Sequence, residues 1–280
     1  MEYTVPLVSI ICMAIIALVG IAIPLILFLI LRKKYKADIL PFFIGFAVFI
    51  IFALAIEGPI NRLILTSDFG KVLQSNIWYY GIFGGLMAGI FEETGRYTAF
   101  KTILKRNQRN DRNALMYGAG HGGFEAYYIL FFSMVSYIVM AIKLNAGMQD
   151  ALTSGVTDPA TLQTLNATFA VLASTPPATF LMSIVERIAA VGIQMSLSVL
   201  VWFAAKDGGK TFLFYPLAIV LHTLVNAFAV ILSRYVSKVW IILGVVYVFA
   251  ALYILLATSV WRKYKVNNDT KPENVTEHTL

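Results

Sequence analysis

The stretch "MAGIFEETGRYTAF", Met87–Phe100, sets Glu92, Glu93 and Arg96 into an otherwise apolar run. It closes a segment, 76–100, that is long enough to cross a bilayer, whose hydrocarbon core takes about 20 apolar residues. Ionisable groups at such depth are costly and need a partner or a polar cavity. The rest of the chain shows that the membrane reading is the right one. Of its 280 residues 59% are hydrophobic and 13% charged, and the mean hydropathy is +0.77. Soluble domains carry about 25% charged residues. Backbone groups left unsatisfied in lipid are prohibitive, so the long apolar blocks imply an all-α polytopic membrane protein.

Seven segments meet the length test: 5–31, 39–57, 76–100, 113–142, 179–205, 211–233 and 239–260. They form one transmembrane helical domain over 1–265. An eighth segment, 159–174 ("PATLQTLNATFAVLAS"), is moderately apolar but short, and crossing, re-entering and lying on the membrane all stay open. Basic residues cluster after spans one (Arg32, Lys33, Lys34, Lys36), three (Lys101, Lys105, Arg106, Arg109, Arg112), five (Lys206, Lys210) and seven (Arg262, Lys263, Lys265). Because Lys and Arg accumulate on the cytoplasmic side, the N-terminus is expected outside and the C-terminus inside. The tail 266–280 is polar and expected to be disordered, with His278 a plain surface residue.

The net charge of +7 therefore sits where anionic headgroups are, which makes membrane lipids the expected partner. Nucleic acid is not expected, because no binding fold surrounds the basic clusters. Cys12 is the single cysteine, so neither an internal disulfide nor a thiolate metal cluster is open to the chain. The first apolar run is far longer than a signal-peptide core and reads as a retained span.

The ionisable and amide residues inside the spans form a short set: Glu92, Glu93 and Arg96; His121 and Glu125; Glu186 and Arg187; His222 and Asn226. Glu92 and Arg96 are four apart and are expected to pair on one helix face, as are His121 with Glu125 and His222 with Asn226. Glu93 is rotated by about 100° from Glu92 and should point elsewhere. At 1.5 Å per residue, Glu92, His121 and His222 all lie roughly 12–16 Å from the cytoplasmic ends of their helices. Glu186 and Arg187 fall toward the other side, roughly 10 Å away, and read most simply as a structural clamp. Glycines in "YYGIFGGLMAG" and "YGAGHGGFEA" suit close helix approach.

A carboxylate beside an imidazole can hold a water and take its proton as it attacks a carbonyl. A second imidazole and a carboxamide, His222 and Asn226, can donate to the oxyanion that develops. No serine or cysteine is placed as a nucleophile, which favours water-mediated hydrolysis over covalent catalysis. No cofactor is required by this chemistry. Two histidines and a glutamate (Glu92, His121, His222) would also suit zinc, so a divalent metal stays open as an alternative, although no H-E-x-x-H stands in the sequence. A non-proteolytic transporter, or a scaffold or immunity-type protein, could use the same buried set.

The combination "EETGR" (Glu92, Glu93, Arg96), "YGAGH" (Tyr117 to His121) and "HTLVN" (His222 to Asn226) resembles the glutamic intramembrane proteases related to CAAX prenyl endopeptidases. The stretches "YGAGHGGFEA" and "VERIAAVGIQMSLSVLVW" are similar to the bacterial YhfC-type branch. The resemblance covers about residues 85–230. It implies a CAAX-endopeptidase-like helical core in a bacterial cell membrane and hydrolysis of a membrane-protein or peptide substrate. Glu92 or Glu93 with His121 would activate water, and His222 with Asn226 would stabilise the oxyanion. Arg96, Tyr117, Glu125, Glu186 and Arg187 would support them. The glutamate pair stands one residue closer to the arginine than is usual there, which leaves both Glu92 and Glu93 as candidates for the base.

Overall fold

The computed structural model describes residues 3–265. The expected tail and His278 lie outside the described residues. Helices account for the regular structure: α1 (Leu7–Lys33), α2 (Leu40–Leu65), α3 (Asp68–Ser75), α4 (Ile77–Lys101), α5 (Arg112–Asn145), α6 (Gln149–Thr153), α7 (Pro159–Ser174), α8 (Pro177–Asp207), α9 (Phe214–Tyr235) and α10 (Val239–Tyr264). Two of them widen locally into π-helix, α2 over Phe49–Glu57 and α5 over Tyr128–Phe132. Such widening is frequent at functional sites.

Among the described residues six helices are long and apolar enough to cross a membrane: α1, α2, α5, α8, α9 and α10. The protein is an all-α, multi-pass membrane protein. The third expected span, α4, has 25 residues and so a length of about 37 Å, but its charged residues keep it out of the apolar set. The ambiguous segment 159–174 is a separate 16-residue helix, α7, about 24 Å long and shorter than the hydrocarbon core. Its amide end is capped by Asp158, whose carboxylate accepts from the Thr161 backbone N–H at 2.9 Å. Phe169 and Leu172 anchor it to the bundle among Met13, Ile16 and Leu130.

Lipid replaces water as the solvent for much of the surface. Leu7, Leu18 and Ile26 on α1, Leu63 on α2 and Val248 and Leu255 on α10 are all exposed apolar side chains. The interior is organised around α8, of whose apolar stretch 78% is buried, against 22–28% for the other five apolar helices. It packs on α1, α4, α5, α9 and α10, while α4 lies along α9 in an extensive pairing.

Glycine sets how close these helices come. A Cβ at Gly85 of α4 would stand 2.5 Å from the Thr223 carbonyl oxygen of α9, and one at Gly122 of α5 would stand 2.8 Å from Gln194 Cβ of α8. Small residues at a membrane helix contact allow backbones to approach this closely. Here the approach brings polar side chains of α4, α5, α8 and α9 within hydrogen-bond reach of each other.

Candidate active site

Glu92 and Glu93 are adjacent on α4, yet both turn into the same interior and serve different partners. Glu93 is fully buried, with its carboxylate 2.6 Å from the Arg96 guanidinium, itself fully buried. The i,i+3 pair replaces the expected i,i+4 pair of Glu92 with Arg96. Glu92 instead reaches across to α5, where its Oε2 lies 2.8 Å from His121 Nε2. The physical reason is distance from the guanidinium to competing acceptors: Nη1 takes both oxygens of Glu93 at 2.6 and 2.7 Å, and Nη2 goes to Gln194 Oε1 at 2.5 Å.

His222 of α9 closes the arrangement. Its Nδ1 lies 2.8 Å from Glu93 Oε1, and its Nε2 faces Glu92 Oε2 at 4.0 Å. A carboxylate on one ring nitrogen fixes the ring's orientation and aims the other nitrogen. The 100° rotation expected to part the two glutamates is thus absorbed by their long side chains. Glu93 holds His222 from one side while Glu92 faces it from the other.

Aromatic rings hold His121. Tyr117, one turn earlier on α5, stacks on it at 5.9 Å between centroids, and Phe49 of α2 meets it edge-on at 5.3 Å. The Arg96 guanidinium lies over the Tyr117 ring at 5.9 Å from its centroid.

Glu186 and Arg187 pair as expected of a clamp, but the pair is joined to Glu125 rather than set apart. Arg187 donates to Glu125 at 2.8 Å and also contacts its neighbour Glu186. Glu125 in turn accepts from Gln194 Nε2 at 3.0 Å, and the same nitrogen donates to Glu92 Oε2 at 3.1 Å. Axial rise along one helix suggested a separation of roughly 10 Å, but α8 crosses α5 where Gly122 lets it close in, and the ion pair joins the inner cluster through Gln194.

A cavity of about 60 Å³ lies between α5, α8, α9 and α10, lined by Glu125, Glu186, Arg187, Gln194, His222 and Asn226 among others. A water needs about 10–15 Å³ of such space and two to four polar partners, so the volume suits several waters. Asn226, one turn beyond His222 on α9, also lines this cavity. Two wall residues connect the cavity to the Glu92–His121 pair: Gln194 donates to Glu92 Oε2 at 3.1 Å and His222 faces the same oxygen at 4.0 Å.

Two buried polar residues escaped the sequence reading. Gln194 is 3% exposed and touches Glu92, Arg96 and Glu125. Its neutral side chain in an apolar span gave no charge signal, although polar depth in a span was the same clue. Glu57 sits buried in the π-helical part of α2 and accepts from Asn61 at 3.0 Å. Its place at the end of the second span made it resemble an interfacial residue.

Glu92, His121 and His222 offer donors of the kind that bind a catalytic zinc, but their spacing does not match one. Bonds of about 2.0–2.1 Å at a tetrahedral metal separate neighbouring donors by about 3.3 Å. Here one separation is a 2.8 Å hydrogen bond and another is 4.0 Å. Among the described residues no group of three or more His, Cys, Asp or Glu is arranged to hold a metal ion.

Comparison with known proteins agrees with the motif pattern. A family model described as YhfC intramembrane metalloprotease matches residues 17–264. The uncharacterized membrane protein YhfC of Bacillus subtilis (strain 168) is 33% identical over 260 residues, which cover 91% of this chain and 98% of the relative. No solved structure matches.

Proposed function

The chain belongs to the YhfC family, and on that premise we propose that it is an intramembrane endopeptidase that uses water activated by Glu92 and His121. The observation that supports this reading best is the 2.8 Å contact of Glu92 with His121, with Gln194, a wall residue of a polar cavity that suits water, hydrogen-bonded to the same carboxylate. The family description speaks of a metal; the donor spacing found here does not suit one, and the chain's own residues carry each step of the reaction.

Water held near Glu92 loses a proton to the carboxylate as its oxygen attacks the scissile carbonyl carbon. His121 holds the carboxylate in place. Negative charge gathers on the former carbonyl oxygen, where His222 in its imidazolium form and the Asn226 carboxamide donate hydrogen bonds. Glu93 anchors His222 through Nδ1, which aims Nε2 at the reacting region. Collapse of the tetrahedral species breaks the C–N bond, and the proton held by Glu92 passes to the departing amine. Glu92 suits the base better than Glu93, whose carboxylate is committed to Arg96 and His222 and fully buried. Substrate enters from the lipid, and the basic loops orient the bundle with the N-terminus outside and the C-terminus in the cytoplasm.

The test compares membranes from cells making wild-type protein with those making Glu92→Gln, followed by N-terminal proteomics of membrane proteins. New N-termini are expected only with the wild type. Fluorescence-quenched single-span peptides built around those sites then serve as substrates in proteoliposomes. Loss of one oxyanion donor typically costs 10²–10³ in kcat, so Asn226→Ala is expected to lower kcat by about that factor. Cleavage retained by purified Glu92→Gln, His121→Ala and His222→Ala, or no termini dependent on the wild type, would overturn the proposal.

A further inference from the structure

Gln194 occupies an unusual position for a neutral side chain. Its one amide nitrogen serves two carboxylates, Glu92 at 3.1 Å and Glu125 at 3.0 Å, and its oxygen takes the Arg96 guanidinium at 2.5 Å. A flipped amide would press NH₂ against the guanidinium and oxygen against both anions, so the neighbours dictate its orientation. The side chain fits because Gly122 lacks a Cβ, which would stand 2.8 Å from Gln194 Cβ.

The consequence falls on the two oxygens of Glu92. Oε2 takes both hydrogen bonds made to this carboxylate by described residues, from His121 and Gln194. Oε1 takes none, yet it is not among the buried side-chain atoms without a partner. The Glu92 side chain keeps 8% exposure while that of Glu93 keeps none. One oxygen is anchored and the other is left with access.

We propose that Gln194 is a positioning residue that, with His121, pins Glu92 Oε2 and so leaves Oε1 as the oxygen that takes the proton from water. It also couples that carboxylate to the Glu125–Arg187 ion pair at the cavity wall. Glutamate at 194 would bring a third carboxylate against Glu92 and Glu125. Methionine would fill the space but release both. The assignment rests on the hydrolytic reading for its rate consequence and on geometry alone for the state of the Glu92 carboxylate.

The experiment has two arms. In the first, Gln194→Met and Gln194→Asn are assayed on a quenched single-span peptide that the wild type cleaves. Methionine removes the donor, and asparagine draws it back by one methylene. Hydrogen bonds to charged groups are strong enough that kcat is expected to fall about 10- to 100-fold in each, with KM within about twofold. In the second, infrared difference spectra at one fixed pH isolate the Glu92 carboxylate stretch by subtraction of the Glu92→Gln spectrum. That band is expected to move in whichever Gln194 variant retains the wild-type unfolding midpoint. A merely structural role would lower folded yield and leave the band and kcat per folded molecule unchanged, which overturns the assignment. If the wild type cleaves no peptide while the band moves, the hydrolytic reading fails and the anchoring of Glu92 stands.

Discussion

Substituting Glu93→Gln tests the buried charge arrangement without any substrate. Glu93 and Arg96 are both 0% exposed in their side chains and 2.6 Å apart. The variant keeps the shape and removes the charge, which leaves the guanidinium with neutral amide acceptors, the new glutamine's oxygen and Gln194 Oε1 at 2.5 Å. Removing one member of a buried ion pair costs about 3–5 kcal/mol because the remaining charge is uncompensated. Arg96→Met should cost a similar amount for the mirror-image reason. Replacing both with Glu93→Gln and Arg96→Met removes the stranded charge, so the double variant should recover part of the loss. The coupling between the two sites is expected at about 2–3 kcal/mol, the upper range for residues in contact. The assay is reversible unfolding in mixed detergent micelles with increasing sodium dodecyl sulfate, followed by tryptophan fluorescence, with Trp202 in the buried core as a reporter. Additivity of the two single losses within about 0.5 kcal/mol would show that Arg96 is neutralised by something other than Glu93, and the argument for Glu93 as an electrostatic anchor would fail.

Gly120→Ala should be poorly tolerated, since the added Cβ would lie 2.0 Å from the Phe42 carbonyl oxygen; a loss of about 1–3 kcal/mol is expected from overpacking, read by the same unfolding assay. Asp111→Ala should cost about 1–3 kcal/mol, because it strips Trp202 Nε1 at 3.0 Å and Lys206 Nζ at 2.5 Å of a shared acceptor; an unchanged midpoint would refute this. Asp158 is held below the usual carboxylate range by the Thr161 hydroxyl and backbone N–H that donate to it. Its contribution to α7 is therefore present above the unfolded value and is lost as pH falls through the depressed folded one. Amide exchange at Thr161, corrected for intrinsic rates, should lose protection below about pH 4, and Asp158→Asn should flatten that dependence. By contrast the exposed Lys71–Asp68 pair should contribute within about 0.5 kcal/mol, so Lys71→Ala is expected to leave the midpoint in place.

The polar residues themselves were legible because charge inside a long apolar run has few innocent explanations. Glu92, His121 and His222 could be singled out from depth and spacing, and all three meet in the structure. Their pairing could not be read the same way. Helical spacing permits Glu92 to pair with Arg96, but it does not weigh that contact against a shorter one to Glu93 or against His121 on another helix. Gln194 shows the limit most plainly. Nothing in "VGIQMSLSVLVW" marks a neutral amide as the link between a carboxylate on α4, a guanidinium on α4 and a carboxylate on α5.

The amino-acid order by itself determined that this chain is a helical membrane protein, because the cost of an unpaired peptide group in lipid acts on each apolar block locally. It also determined which side chains would need company at depth. Only the packing of α4, α5, α8 and α9 decided who their partners are. Those choices depend on crossing points set by glycine contacts between residues far apart in the chain, and an ångström or two at such a crossing selects one acceptor over another.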